Sequence, residues 1–222
     1  NSINVARWLP QQFYYFFAYK QWKQKGVLPV ISVPSGNFGN ICAGILAHIS
    51  GLPVQHFIAA CNANDVVPRF LQTESYQPKD AVATISNAMD VGNPSNFIRI
   101  LELFHHKFPR LKEKLSAYSI TDEETKATMK RVCNEYGYVL DPHGSVGYLA
   151  LEQYLQQHPQ QNGMILETAH PVKFYDVVEP VLNKKIELPE EIKAIMSFKK
   201  QGVLIDNQYG ELKSFLFSLN ES

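Results

Sequence analysis

The sequence predicts an α/β protein: a mainly parallel, twisted sheet with helices on both faces. Three observations point there. Strand-length apolar runs alternate with helical patterns along the 222-residue chain. Residues 27–33 are apolar nearly throughout, broken only by Pro29 and Ser32, as a strand covered on both sides must be. A glycine-bearing turn then leads into a helix and on to a second apolar strand at 54–60, which is the order of a right-handed βαβ unit.

Each element has its own signal. Residues 5–25 carry a helical pattern that Pro10 should kink or restart near its first turn. Phe13, Tyr14, Tyr15, Phe16, Phe17 and Tyr19 spread over much of its circumference, which predicts a helix buried on most faces and an aromatic cluster that belongs to the core rather than to a ligand cage. Gly26 ends that helix. After the strand at 27–33 and the turn at 34–40, small and apolar residues form a helix to about residue 50, and Gly51-Leu52-Pro53 turns the chain into strand 54–60. Residues 61–96, rich in Asn, Pro and Ser, read as a long irregular region of the kind that carries sites. Residues 94–114 read as helix in two pieces. Thr121-Asp122-Glu123-Glu124 is a capping box that opens a helix to about residue 136. A helix at 143–156, a short strand at 164–166, a helix at 172–182 and a last short helix opened by Leu188-Pro189-Glu190-Glu191 complete the pattern. The expected division is an α/β domain over 1–182 and a helical tail over 183–222. The chain opens at Asn1, without Met and directly into an element, and so reads as lacking an N-terminal part.

Composition narrows the function classes. Hydrophobic residues at 45% and charged residues at 19% supply a packed core and no disorder signature. Lys+Arg and Asp+Glu are 21 each, with no block of like charge, which argues against a nucleic-acid binder and against a lysine-held membrane module. No apolar stretch approaches the roughly 20 residues needed to span a bilayer. Cys42, Cys61 and Cys133 are too few and too scattered for a disulfide framework or a structural zinc, and no His/Asp/Glu spacing suggests another metal. A soluble protein of a reducing compartment, the cytoplasm, is the expectation.

The turn Ser35-Gly36-Asn37-Phe38-Gly39-Asn40 is the best-placed site. A glycine-rich turn between a buried strand and a helix leaves backbone N–H groups free where the helix dipole also favours an anion. Gly36 and Gly39 would let the backbone approach a phosphate closely. The segment lacks the Lys-Ser/Thr of a P-loop and the third glycine of a dinucleotide fingerprint, so it suits a single phosphate. From the residues alone it reads equally well as a plain tight βα turn.

The letters of that turn resemble the phosphate-binding loop of the threonine synthase family, pyridoxal-phosphate (PLP) enzymes of the tryptophan-synthase β-chain fold. Further segments resemble the family in family order: Asn1-Ser2-Ile3-Asn4-Val5-Ala6-Arg7, Asn62-Ala63-Asn64-Asp65, Ser86-Asn87-Ala88-Met89-Asp90, Pro94-Ser95-Asn96-Phe97, Asp141-Pro142-His143, and Thr168-Ala169-His170-Pro171-Val172-Lys173-Phe174. The resemblance runs from the first residue to about Leu182 and is strongest to the longer-chained subgroup, of which this chain looks like the C-terminal part. It implies the large-domain fold of fold-type-II PLP enzymes, PLP as cofactor and electron sink, and conversion of O-phospho-L-homoserine and water to L-threonine and phosphate.

Carried over residue by residue, the resemblance implies that Gly36, Asn37, Phe38, Gly39 and Asn40 hold the PLP phosphate with Ser35 adjacent. It places the Thr168 hydroxyl at the pyridine nitrogen. Asn1, Ser2 and Arg7 correspond to the clamp for the substrate phosphate, where Arg supplies a charge-assisted fork. Without the resemblance, Arg7 would read as a solvated charge on a first helix turn. The family's Schiff-base lysine falls in a Lys-Asp segment upstream of Asn1, so this chain is expected to contain no catalytic residue of its own and to be inactive alone, with the missing N-terminal half as its partner. Lys173 corresponds to a family position near a helix start, not to the nucleophile. Another β-replacing or dehydratase-type PLP enzyme, or a non-catalytic relative that binds phosphate metabolites or partners, are the alternatives.

The remaining candidates have simpler readings. His143 and His170 sit at turn–helix junctions, where a cap or packing role is the default. His105-His106 reads as a solvated face. Asp65 and Asp90 lie in Asn-rich loops, where local turn hydrogen bonds are expected. A Ser/His/Asp triad on Ser35 lacks the Gly-x-Ser-x-Gly elbow.

Overall fold

The computed structural model describes residues 4–24, 26–196, 198–199 and 201–219. By its contacts the chain forms two compact units, Asn1–Ile186 and Glu187–Ser222. The first unit is built on a four-stranded, all-parallel sheet in the order β3-β2-β1-β4, with β1 Val30–Pro34, β2 His56–Cys61, β3 Leu115–Ser119 and β4 Gly163–Ile165. Val30 of β1 stands opposite His56 on one side and Gly163 on the other.

Side chains alternate across the sheet with period two, and each face is covered. Ile31, Val33, Phe57 and Ala59 belong to one core with Tyr15 of α1 (Trp8–Gln21), Ile41 and Ile45 of α2 (Gly39–Ile49), Phe70 of α3 (Val66–Thr73), Phe97 and Ile100 of α4 (Phe97–Leu103) and Leu111 of α5 (Phe108–Lys114). On the opposite face Val30, Ile58 and Ala60 pack against Val146, Ala150, Leu151 and Tyr154 of α7 (Pro142–Gln157). Ser32 Oγ donates to the Gly147 carbonyl at 2.8 Å, which ties β1 to α7. A Cβ on Gly147 would stand 2.9 Å from Ile165 and 3.2 Å from Pro34, so only glycine lets α7 lie this close to the sheet.

The helix α6 (Asp122–Tyr136) starts on the full capping box: Thr121 accepts from the Glu124 N–H while Glu124 accepts from the Thr121 N–H. It is joined to α7 by Arg131, whose guanidinium forks onto the Glu152 carboxylate. After β4 a 3-10 turn at Pro171–Phe174 leads into α8 (Tyr175–Leu182). The second unit holds α9 (Glu190–Met196) and α10 (Tyr209–Ser218). Among the described residues no helix is long and apolar enough to cross a membrane, and no cluster of His, Cys, Asp and Glu is placed to hold a metal ion.

Five expectations change. The aromatic helix α1 is not buried on most faces. Only Trp8 and Tyr15 are buried, while Leu9, Phe13, Phe16 and Phe17 form an exposed stripe at i, i+4, i+7, i+8, with Tyr14 exposed beside it. Pro10 is accommodated without a break because the first turn has no intrahelical use for its N–H. The irregular region 61–96 contains a helix, α3, which buries Val66, Val67, Phe70 and Leu71 on one face. The strand β3 follows α5 without a turn, and α10 lies in a tail expected to end on one short helix.

Candidate functional site: a cleft at the carboxyl ends of β1 and β4

The order β3-β2-β1-β4 means that the chain builds outward from β1 through β2 to β3 and then returns to the other side of β1. Loops leaving β1 and β4 therefore diverge, and open parallel sheets have their ligand crevice at such a point. A cleft of about 210 Å³ lies there, lined by Pro34, Gly36 to Asn40, Ala88, Met89, Asp141, His143, Leu166 to Ala169 and Phe174.

The turn after β1 forms one wall. Phe38 has a left-handed backbone (φ 62°) and stands immediately before α2, so that the chain enters the helix at Gly39. The first-turn N–H groups of this 11-residue helix have no carbonyl four residues earlier within the helix, and its first two residues, Gly39 and Asn40, line the cleft. The turn is braced from three directions. Tyr15 donates its hydroxyl to the Asn40 carbonyl at 2.9 Å and lies within 3.0 Å of Asn40 Oδ1. Asn37 Oδ1 accepts from the Ser95 N–H (2.7 Å) and hydroxyl (3.0 Å), and Asn96 Nδ2 donates to the Asn37 carbonyl at 2.8 Å. A Cβ on Gly36 would stand 2.5 Å from Met89 Cα, so the turn and the Ala88–Met89 backbone touch.

The segment 84–90 is held in turn by Asp90. Its Oδ1 accepts from Asn62 Nδ2 (2.8 Å), Asn64 Nδ2 (3.2 Å) and the Thr84 hydroxyl (2.7 Å), and its Oδ2 accepts from the Thr84 N–H (3.0 Å). Asp90 thus does more than close a local turn: it gathers three stretches of the irregular region beneath the cleft. Asp65, expected to make local turn hydrogen bonds, instead forms ion pairs with Lys79 and with Arg69 one turn along α3.

The opposite wall comes from the end of β4 and the start of α7. Thr168 comes three residues after the end of β4 and lines the same cleft as the turn. Asp141 caps α7 through the His143 N–H (2.7 Å) and also meets His143 Nδ1 at 2.7 Å. Because His143 Nε2 accepts from the Ala88 N–H at 3.2 Å, the ring proton belongs on Nδ1, donated to Asp141. Glu167 completes this wall. Burial and then the neighbouring Asp141 carboxylate push its carboxyl from an ordinary 4.5 up to about 9. Burial alone would raise Asp141 as well, but hydrogen bonds from His143 and Glu167 hold it below the usual range. Of the pair, Asp141 is the carboxylate and Glu167 the acid.

The structure brings Gly36, Asn37, Phe38, Gly39, Asn40 and Thr168 to one cleft. Ser35 is not on its lining; it is buried and its hydroxyl donates back to the Val33 carbonyl at 2.8 Å, which shapes the turn from behind. Arg7 is exposed at the end of a 3-10 turn before α1 and does not line the cleft, and Asn1 and Ser2 lie outside the described residues. Lys173 is exposed and off the lining. His170 caps the 3-10 turn after it, accepting from the Val172 N–H at 3.1 Å. His143, for which a cap or packing role is the default, is buried against Phe174 and bonded to Asp141 and the Ala88 N–H, and it also lines the cleft. Glu167 and its link to Asp141 were missed. The only signals for them were the position of Glu167 next to Thr168 and the glycine at 144, neither of which shows that α7 begins beside the end of β4.

Comparison with known proteins agrees with this geometry. Residues 8–166 match the family model described as pyridoxal-phosphate dependent enzyme, and residues 144–216 match that of the threonine synthase C-terminal region. A threonine synthase from Serratia marcescens is 46% identical over 220 residues, covering 99% of this chain and 50% of the relative. Among solved structures, threonine synthase from Escherichia coli superposes with a TM-score of 0.88 at 42% identity, covering 99% of this chain and 50% of that one. PLP-bound threonine synthase from Brucella melitensis gives 0.91 at 29%, covering all of this chain and 53% of its own. The chain thus spans about half the length of the relatives it matches. A sheet that opens at β1, a glycine turn at a helix start facing a Thr-Ala-His-Pro segment, and a family match across both walls have one common explanation: the chain belongs to the pyridoxal-phosphate-dependent enzyme family, on its threonine synthase branch.

Proposed function

We propose that this chain supplies the cofactor-phosphate wall and the pyridine wall of a threonine synthase, which converts O-phospho-L-homoserine and water to L-threonine and phosphate in the cytoplasm. The observation that carries the reading is the single cleft with the Gly36–Asn40 turn at the start of α2 on one side and Thr168 on the other. The residues fit the cofactor: the turn brings the start of α2 to the cleft, and Gly36 packs so closely on the Ala88–Met89 backbone that a Cβ there would displace the turn. PLP, when bound, supplies the electron sink for chemistry at the substrate's α and β carbons.

The roles of the chain's own residues follow from their chemistry. Gly36, Asn37, Phe38, Gly39 and Asn40 hold the cofactor phosphate through backbone and amide N–H groups, aided by the α2 dipole. Ser35 supports that turn from behind. Thr168, a neutral hydroxyl, would be the group to meet the pyridine nitrogen, where a hydroxyl rather than a carboxylate would leave it largely unprotonated and moderate the electron sink. Phe174 and Leu166 give the cleft apolar surface that excludes water around the reacting atoms. Asn1, Ser2 and Arg7 clamp the substrate phosphate. The cofactor-binding part is residues 1–182, with 183–222 as a helical tail. The Schiff-base lysine is supplied by the N-terminal half of the complete enzyme, so the 222-residue chain alone is inactive.

The test is phosphate release from O-phospho-L-homoserine by the complete, PLP-loaded protein, with Arg7→Ala beside it. Arg7 is exposed in this chain, so the reading requires the N-terminal half to cover it. In the complete protein Arg7→Ala should then keep PLP content and lower kcat/KM by the equivalent of about 2–5 kcal/mol, the usual cost of truncating one partner of a desolvated charge pair. Loss of PLP with unchanged kinetics in the residual holoenzyme would overturn the Arg7 assignment. Turnover of serine or threonine without phosphate release would favour the dehydratase reading, and binding without turnover the non-catalytic one.

A further inference from the structure

Glu167, with Asp141 and His143, is an ionisable group on the cleft that the proposed reaction does not use, and its surroundings are unusual. It stands directly before Thr168, at the seam between β4 and the first turn of α7. The space it fills exists only because residue 144 is glycine: a Cβ there would stand 2.3 Å from Glu167 Oε1. Its neighbour Asp141 is fully buried, with both close contacts from His143 on Oδ1, while Oδ2 is buried without a hydrogen-bond partner among the described residues and the Glu167 carboxyl is the neighbouring acid. From Asp141 the chain of contacts continues through His143 to the Ala88 N–H, and from Met89 to the Gly36 cradle.

We propose that Glu167 is a positioning residue. As the carboxylic acid it donates to Asp141 Oδ2 and so holds the Asp141–His143–Ala88 strut that presses the 88–89 backbone onto the phosphate turn. The proposal rests on the cofactor reading of the cleft, which it deepens by linking the Thr168 wall to the phosphate wall. Remove the acid proton, and two carboxylates face each other in a half-buried site, which drives them apart and frees His143 to turn. The groups that face this site are Asp141 and His143 from α7 and Tyr138 from the segment before it. The Tyr138 hydroxyl is pushed up by burial and then by the charges of Glu167 and Asp141. Tyr136 and Tyr148 border the adjoining pocket.

The sign of the pH dependence follows. An unfolded Glu loses its proton near 4.5, whereas folded Glu167 keeps it up to about 9, so folding binds a proton in that window. The stability this group contributes is complete below 4.5 and drains as pH rises to about 9. Glu167→Gln, which keeps a donor and cannot ionise, should remove that slope and melt progressively above the wild type as pH climbs from 5 to 9.

The decisive experiment is amide hydrogen exchange of the peptide spanning Ala88, in the complete protein, for wild type, Glu167→Gln, Glu167→Ala and Gly144→Ala. Gly144→Ala displaces the carboxyl without removing any titrating group and places a better helix former in α7. At pH 7 the two alanine variants should exchange about tenfold faster at Ala88, while Glu167→Gln should match the wild type. Above pH 9, protection should fall in the wild type relative to Glu167→Gln. Unchanged protection in Gly144→Ala and Glu167→Ala, or Glu167→Gln as open as Glu167→Ala, would overturn the strut. Affinity for 4′-deoxypyridoxine 5′-phosphate, which has no aldehyde to condense with a lysine, tests the cofactor reading separately. Weaker binding in the alanine variants supports both ideas, whereas failure of the wild type to bind this probe sinks the cofactor reading while the exchange data still decide the strut.

Discussion

Gly36→Ala in the complete protein should weaken PLP retention by about two orders of magnitude while leaving the fold intact. The added methyl would stand 2.5 Å from Met89 Cα and 3.1 Å from the Ala88 carbonyl oxygen, all of it backbone. That backbone cannot retreat, because Asp90 ties it to Asn62, Asn64 and Thr84, and His143 holds the Ala88 N–H. The turn must therefore shift toward the cleft, into the space the phosphate needs. A displacement of roughly 1 Å in a positioning element is enough for about a 100-fold effect. The overpacking itself costs only about 1–3 kcal/mol, which a domain of this size survives. Spectral titration with PLP measures the effect, and wild-type affinity in the variant would mean that the turn does not carry the phosphate.

Tyr15→Ala should be the most damaging single change to stability in α1. The ring is fully buried, packs edge-on against Phe57 at 6.3 Å and fills the hollow over Gly44, where a Cβ would stand 2.3 Å from it. Deleting a buried aromatic ring of this kind costs about 3–5 kcal/mol through lost transfer energy and the cavity left behind. Tyr15→Phe separates packing from hydrogen bonding: it keeps the ring and loses the hydroxyl contact to Asn40, a net loss of about 1 kcal/mol. Because Asn40 belongs to the phosphate turn, Tyr15→Phe should also weaken PLP binding. Chemical denaturation followed by PLP titration reads both effects. A stability loss in Tyr15→Ala no larger than in Phe17→Ala, on the exposed stripe, would refute the account of α1.

What the sequence disclosed, and what it hid, has a common physical cause. Elements specified by neighbouring residues were legible: β1 with its glycine turn and α2, the Thr121–Glu124 capping box, and the apolar strand before Thr168. Elements whose signal is interrupted were not. Pro68 inside α3 and the Asn-rich flanks masked a helix whose proline sits in the first turn, where it does no harm. The five-residue β3 follows α5 with no turn between, so its edge had no punctuation. In α1 the composition could not reveal which rings this chain itself covers, and only the Trp8–Tyr15 side is buried. The site divides in the same way. The glycine turn after β1 is one contiguous segment, while Glu167 meets Asp141 only when the start of α7 lies beside the end of β4, a relation that no local pattern encodes.

The central claim is that one flat ring would bridge the turn after β1 and Thr168 in the segment after β4. A crystal structure of the complete protein with PLP bound tests it most directly. The account predicts the phosphate against the N–H groups of Gly36 to Asn40 and the Thr168 hydroxyl within about 3 Å of the pyridine nitrogen. A phosphate seated elsewhere, or a Thr168 hydroxyl out of hydrogen-bond reach of the ring, would contradict it.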